Sequence, residues 1–266
     1  MPEPLPRITV VTPVYNGTDT IEQALASVRG QVYPDVDHVV VDGGSTDGTV
    51  EILERTPGIR FISEPDEGLA DAMNKGIAMA DGELVGWLNC DDFYEPGALA
   101  AVGRAAAEHP DAAWVTGRCR IVDGEGKEIR KAVTAYKNLL LRNYSFGAYL
   151  TQNFVSCPST FVRKSAYEAV GPIDTQYRYS MDYEVFLRIA KLSDPVILER
   201  ELAAFTMVAG TLSMTGFEDQ FDEHLRQARM HGEGHRLAVL GNEVMSRLIV
   251  LVYRALRESR RLRTAG

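Results

Sequence analysis

Val36-Asp-His-Val-Val-Val-Asp42-Gly-Gly-Ser-Thr-Asp-Gly-Thr49 is the stretch on which the fold turns. Its first six residues predict a strand that stops at Asp42, where two glycines break the run. Ser45, Thr46 and Asp47 then supply the start of a helix over 48–55. The same order recurs on both sides. Strands are expected at 7–12, 59–63 and 83–88, and helices at 20–29 and 69–79. Apolar strands alternating with helices predict a mainly parallel sheet covered on both faces.

Beyond Pro96 the rhythm changes. A helix over 97–108 leads to an apolar stretch at 112–122 and a glycine turn, Asp123-Gly-Glu-Gly126, read as a hairpin. A less regular region runs to about residue 152. A strand at 159–162, a helix at 181–191 and a helical pattern from 217 to the end follow.

The 266 residues suffice for a sizeable core, and 45% apolar with 24% charged residues is ordinary for a folded domain. The net charge of −9 argues against a general nucleic-acid binder, which needs a clustered basic surface. That total is uneven. Residues 247–266 hold six arginines and one glutamate, a charge of +5, so residues 1–246 carry −14. Cys90, Cys119 and Cys157 lack zinc spacing and read as reduced thiols of a cytoplasmic protein. The opening Met-Pro-Glu-Pro-Leu-Pro-Arg7 does not read as a signal peptide, and the apolar run 248–253 is too short to span a bilayer.

Four polar clusters fall at the ends of the first four predicted strands, where open α/β sheets bind ligands. They are Thr12-Pro-Val-Tyr-Asn16, Asp42 to Thr49, Glu64-Pro-Asp-Glu-Gly68 and Asn89-Cys-Asp-Asp92. Each alone reads equally as a turn or a helix cap. Asp42 can accept hydrogen bonds from a base or ribose, and the glycines beside it allow close approach. No GxGxxG and no P-loop is present. Asp91 and Asp92 raise each other's pKa unless a cation lies between them, and their oxygens suit Mg2+ or Mn2+ shared with a phosphate. The competing reading makes Asp92 the cap of the helix after Pro96.

Taken together, Thr12–Asn16, Val39–Thr49, Gly68-Leu-Ala-Asp-Ala-Met-Asn-Lys-Gly76 and Gly86-Trp-Leu-Asn-Cys-Asp-Asp92 resemble family 2 glycosyltransferases of the GT-A fold. The resemblance implies a Rossmann-like α/β sheet and an inverting transferase that uses a nucleoside-diphosphate sugar and Mg2+ or Mn2+. UDP is the first expectation for the nucleotide, although no residue identifies the base. It further implies that Pro13, Tyr15 and Asn16 lie along the nucleoside and that Asp42 meets the base. Asp71, Asn74 and Lys75 would line the nucleotide-sugar pocket. Asn89 and Asp91 take the outer positions of the DxD element, with Asp91 the metal ligand and Asp92 beside the sugar or a metal-bound water. The resemblance resumes at Pro158-Ser-Thr-Phe-Val-Arg163, Gly171-Pro-Ile-Asp174 and Ser180-Met-Asp-Tyr-Glu-Val-Phe-Leu-Arg188, and it makes Asp182 the catalytic base. A carboxylate at a helix N-terminus is stabilised as the anion, so a plain helix cap competes with that role.

Some features depart from the family or stand outside it. Met181 replaces a common acid, and Met207-Val-Ala-Gly-Thr-Leu-Ser213 lacks the usual Arg or His over the diphosphate. A QxxRW motif and transmembrane helices, which mark processive synthases, are absent, favouring a single-transfer enzyme. His231 and His235 have zinc-like spacing but two glycines and no third ligand, and His224 reads as a surface residue. The segment 242–266 is either a core-packing helix with a solvated basic end or a peripheral membrane helix near a lipid-linked acceptor.

The expected layout is therefore a GT-A domain over 1–213, with a nucleotide-sugar half at 1–100 and an acceptor half at 101–213. A helical extension covers 214–266. The acceptor is a saccharide or a lipid-linked hydroxyl in polysaccharide or glycolipid synthesis, met in the cytoplasm or at the inner membrane face. A homodimer stays open. A sugar-nucleotide nucleotidyltransferase would open with a GGxGxR loop that this chain lacks, and a non-catalytic nucleotide-sugar-binding protein would be expected to lose Asp91 or Asp182.

Overall fold

The valine run of the opening segment forms β2 (Val36–Asp42), which pairs in parallel with β1 (Ile8–Val14), Val14 lying opposite Asp42. The computed structural model describes residues 5–207 and 216–264, with 252–264 as backbone alone. β1 is buried along its whole length, because helices cover both faces of this part of the sheet. Its polar residues are paired inside: Thr9 Oγ1 donates to Asp37 at 2.9 Å, and Thr12 Oγ1 meets His38 Nε2 at 2.9 Å. β3 (Arg60–Ser63) extends the parallel set beyond β2, and β4 (Leu84–Trp87) extends it beyond β1.

Between these strands lie α1 (Ile21–Arg29), α2 (Thr49–Arg55) and α3 (Leu69–Met79). α1 buries Ile21, Ala24, Leu25 and Val28, the single stripe that 3.6-residue periodicity requires. The helix expected after the glycine loop does form, with Gly48 as its cap residue.

The second half is less parallel. β5 (Phe93–Tyr94) and α4 (Ala98–Glu108) precede β6 (Trp114–Val122). β7 (Thr160–Arg163) runs antiparallel between β4 and β6, and β8 (Val196–Thr206) runs parallel to β6. Among the described residues the sheet order is β3-β2-β1-β4-β7-β6-β8-β5. The glycine turn after β6 does reverse the chain, but its return arm is only a bridge from Val122 to Glu128.

The region expected to be irregular holds two helices, α5 (Lys131–Arg142) and α6 (Phe146–Thr151). α7 (Lys164–Val170) and α8 (Met181–Ala190) follow, and α9 (Phe217–His231) and α10 (Arg236–Thr264) end the chain. An aromatic core joins sheet to helices: the Trp114 ring lies 5.9 Å from Phe186 and 6.3 Å from Tyr149, and Tyr149 meets Tyr183 edge-on at 5.1 Å. No helix among the described residues is long and apolar enough to cross a membrane.

Candidate active site

Because β1 to β4 are parallel, the four polar clusters emerge at one sheet edge, as the alternation predicts. Two of them are stitched together. Asn16 takes a left-handed conformation, φ 50°, so that its N–H donates to Ser45 Oγ at 2.7 Å while its Oδ1 accepts from Thr46 N–H at 2.9 Å. Gly17 N–H donates to Thr49 Oγ1 at 2.9 Å, and Thr18 N–H donates to Asp47 Oδ2 at 3.1 Å. The hydroxyls of Thr18 and Thr49 hold the Asp47 carboxyl below the usual carboxylate range. Tyr15 projects from this edge, 65% exposed, while Pro13 stays buried within β1.

Asp42 is wholly buried. Its Oδ2 accepts from the N–H groups of Gly44 (3.1 Å) and Ser45 (3.0 Å) and from Ser63 Oγ (2.7 Å), and its Oδ1 from Ser45 Oγ. The carboxylate thus shapes the glycine loop from within. Lys75 on α3 reaches Glu64 at 2.9 Å and Asp71 at 3.4 Å, and Asp71 also accepts from Glu67 N–H.

Asn74 differs from the expected pocket residue. Its Nδ2 donates to the Ile173 carbonyl at 2.9 Å and its Oδ1 accepts from Ile173 N–H at 2.8 Å. With both amide groups engaged, it braces α3 against the Gly171–Asp174 segment. Arg188 grips the same segment at the carbonyls of Val170, Gly171 and Pro172.

At the end of β4, Trp87 Nε1 donates to Asn89 Oδ1 at 2.9 Å, and Asn89 Nδ2 donates to Asp92 Oδ2 at 3.2 Å. Asp92 Oδ1 accepts from Thr206 N–H at 2.9 Å. Asp92 therefore caps no helix: Gly97 caps α4, and Asp92 ties the Asn89–Asp92 loop to the end of β8. Burial first, and then the charge of Asp91, push its carboxyl well above the usual range. Asp91 itself is pushed up by burial, and no salt bridge reaches it among the described residues. Burial and the Asp91 charge lift the Cys90 thiol to about 12, so it stays neutral and supplies no thiolate at this edge.

Asp182 lies in the first turn of α8. Burial pushes its carboxyl up, against the N–H of Tyr183 and the ammonium of Lys137. The expected helix-end stabilisation of the anion is present, and desolvation outweighs it. Lys137 in turn is pushed down by burial and donates to Ser156 at 3.2 Å. Two of the candidate aspartates act on a common thiol: Cys157 is buried, and the charges of Asp182 and Asp92 both raise it further.

The residues that position Asp182 come from far along the chain. Glu223 of α9 accepts from the N–H groups of Arg178 (3.0 Å) and Tyr179 (2.9 Å) and from Ser180 Oγ (2.9 Å). Gln227 Nε2 donates to the Ser180 carbonyl at 3.1 Å. His224 between them is buried rather than on the surface, its ring 4.9 Å from Tyr183. Glu184 holds Arg188 and His231, the latter at 3.0 Å, and its hydrogen bonds overcome burial to keep it below its usual range. His231 is thus committed to Glu184 and Lys191, and His235 packs on Phe146, so the pair is not a zinc site. The Met207–Ser213 loop falls, after Met207, outside the described residues.

Comparison with known proteins gives the family and the fold. The family model for glycosyl transferase family 2 matches residues 9–171. An uncharacterised glycosyltransferase of Mycobacterium tuberculosis is 32% identical over 206 residues, 75% of each protein. A PGL/p-HBAD biosynthesis glycosyltransferase of Mycobacterium bovis is 27% identical over 209 residues, 73% of each. Among solved structures, S. aureus TarS (residues 1–349) with UDP-GlcNAc aligns with TM-score 0.66 and 17% identity, over 85% of this chain and 66% of that one. A Pyrobaculum calidifontis mannosyltransferase with GDP-Man and Mn2+ aligns with TM-score 0.64 and 18% identity, over 96% of this chain and 81% of that one. The shared architecture is the GT-A fold. With a family model matching from β1 through α7, the chain belongs to glycosyl transferase family 2.

Proposed function

We propose that this glycosyltransferase inverts the anomeric centre as it moves a sugar from a nucleoside-diphosphate donor, of UDP type, to an acceptor hydroxyl in polysaccharide or glycolipid synthesis. The observation that carries the reading is the gathering of the polar loops, Asp91 and Asp92 among them, at one end of the parallel strands, with Asp92 and Asp182 both raising the one buried thiol of Cys157. The relatives named as glycosyltransferases and the nucleotide-sugar complexes of the structural neighbours support it.

In this reading residues 1–100 hold the donor, 101–213 face the acceptor, and the helices of 214–266 brace the base. Tyr15 and the Asn16–Ser45 stitch offer a ledge for the nucleoside, with Asp42 setting the loop beneath the base. Lys75 and Asp71 flank the sugar-diphosphate. Asp182 takes the acceptor proton as the hydroxyl attacks opposite the leaving group. Its raised pKa makes it a stronger proton acceptor than an ordinary carboxylate.

The residues fit a divalent cation of modest affinity. Asp91 is a desolvated carboxylate with no salt bridge among the described residues, and no trio of acidic, histidine or cysteine ligands gathers there. One carboxylate plus diphosphate oxygens and waters suits Mg2+ or Mn2+. Bound there, such an ion would supply Lewis-acid stabilisation of the departing diphosphate.

The test is incubation with UDP- and GDP-sugars, Mn2+ or Mg2+, and saccharide or lipid-linked acceptors. Nucleoside diphosphate should be released with a mass-shifted acceptor, and Asp182→Asn should slow this at least ~100-fold while donor binding by calorimetry is kept. Full transfer by Asp182→Asn removes it as base, and release of pyrophosphate instead identifies a nucleotidyltransferase.

A further inference from the structure

α10 is mounted on the protein by its polar side. Asn242 is buried and donates Nδ2 to the Leu150 carbonyl at 2.9 Å, and the buried Ser246 donates to Asn242 Oδ1 at 3.3 Å. One turn earlier, Thr151 Oγ1 reaches the Ala238 carbonyl at 3.4 Å. The opposite side carries Leu237, Leu240, Val244, Leu248 and Leu251. Leu237 is 86% exposed and the other four are between 53% and 62% exposed. At 3.6 residues per turn these five fall within an arc of about 80° and form a stripe roughly 21 Å long. Core packing therefore does not account for Val244, Leu248 and Leu251. Scattered exposed leucines are ordinary, but a continuous apolar stripe marks a contact surface.

Charge selects the occupant. The stripe runs into residues 247–266, six arginines against one glutamate. A parallel pairing of two copies along the stripe would bring two +5 ends together. The one acid flanking the stripe, Glu243, is already held by Arg229 at 3.1 Å and by Arg247 at 2.5 Å. An anionic lipid surface takes both features at once, apolar side chains at the acyl boundary and arginines among the headgroups. The chain before this helix, at −14 over residues 1–235, is repelled by the same surface, which leaves α10 as the contact.

We propose that α10 lies along an anionic membrane surface, its Leu237–Leu251 stripe entering the lipid and its arginine-rich end meeting the headgroups. This contact stands apart from the transfer reaction and needs neither donor nor metal.

The full chain is floated with vesicles of phosphatidylcholine alone or of phosphatidylcholine with phosphatidylglycerol at low salt. Binding should be at least ~10-fold stronger to the anionic vesicles and should weaken as salt rises. Leu240→Gln with Leu248→Gln removes apolar surface without adding charge, and Arg254, Arg257, Arg260 and Arg261 changed to Gln removes charge without touching the stripe. Each set should weaken anionic-vesicle binding at least ~10-fold while melting like the native chain. Leu237→Gln, the most exposed position, replaces the double variant if that variant melts lower. Native-like binding by either set overturns the proposal, as does failure of the native chain to bind. A dimer in light scattering that Leu240→Gln with Leu248→Gln dissociates, without vesicle binding, assigns the stripe to a second copy instead.

Discussion

At the residue scale, Asp182 shows two opposed effects on one carboxylate. The free N–H groups of the α8 start and the Lys137 ammonium favour the anion, and burial disfavours it more strongly. A base must be unprotonated to act, so transfer should fall as pH drops through a pKa above the ordinary carboxylate value of about 3.9. Removing the opposing charge with Lys137→Met should move the acid limb of the kcat/KM profile to higher pH. An unmoved limb would separate Lys137 from the base. Asp91→Asn should cost at least ~100-fold in turnover and flatten the dependence on added Mn2+, read by titrating the ion against rate. The candidate acids stand out in the sequence because each follows a strand end or starts a helix, positions with a local signature. Glu223 and Gln227 were not, since their bonds to Arg178–Ser180 span more than forty residues and leave no spacing to read. His224 misled for a related reason: its neighbours in α9 are mostly charged, yet the helix turns this one residue onto Tyr183.

At the scale of elements, the first hundred residues were readable because strand and helix periods alternate cleanly there. β8 was missed because Glu199-Arg-Glu201 interrupts its apolar run where the β6–β8 register shifts. α5 was missed because it buries only Thr134 and Leu141 of its twelve residues, too few to mark a face. Where α3 crosses β1, the sequence holds a glycine within a helix, which intrinsic propensity alone disfavours. A Cβ on Gly76 would stand 2.2 Å from Val11 Cγ1, and Val11 is fully buried. Gly76→Ala should therefore destabilise the protein by about 1–3 kcal/mol, despite the helix-propensity gain of up to ~1 kcal/mol. The denaturant midpoint measures it. A rise in the midpoint would mean that α3 shifts on the sheet at little cost.

At the scale of the molecule, the segments before and after residue 100 are joined by polar contacts rather than by sheet pairing alone. Asp92 with Thr206 and Asn74 with Ile173 cross between them, and Arg188 fixes the 170–172 carbonyls that lead into Ile173. β2 and α9 each bury a histidine. Burial pushes His38 down to about 4 against the nearby Asp37, and pushes His224 down to about 3. An unfolded histidine takes a proton below about 6.5, whereas the folded His38 resists until about 4. Stability is therefore intact above about 6.5 and is lost at up to ~1.4 kcal/mol per pH unit as the pH falls toward the folded value. The raised carboxyls of Asp91, Asp92 and Asp182 act in the opposite sense, because acid relieves their burial. The raw pH profile thus mixes both signs, and the difference between native protein and His38→Gln isolates one. Glutamine keeps a hydrogen-bonding group for Thr12 and does not titrate. The native advantage in urea midpoint should be greatest above pH 7 and should shrink by roughly 3 kcal/mol by pH 4. A constant advantage across that range would show that His38 accepts its proton without leaving the sheet. The loss would then belong to His224 and to the α8–α9 contact that holds Ser180 beside Asp182.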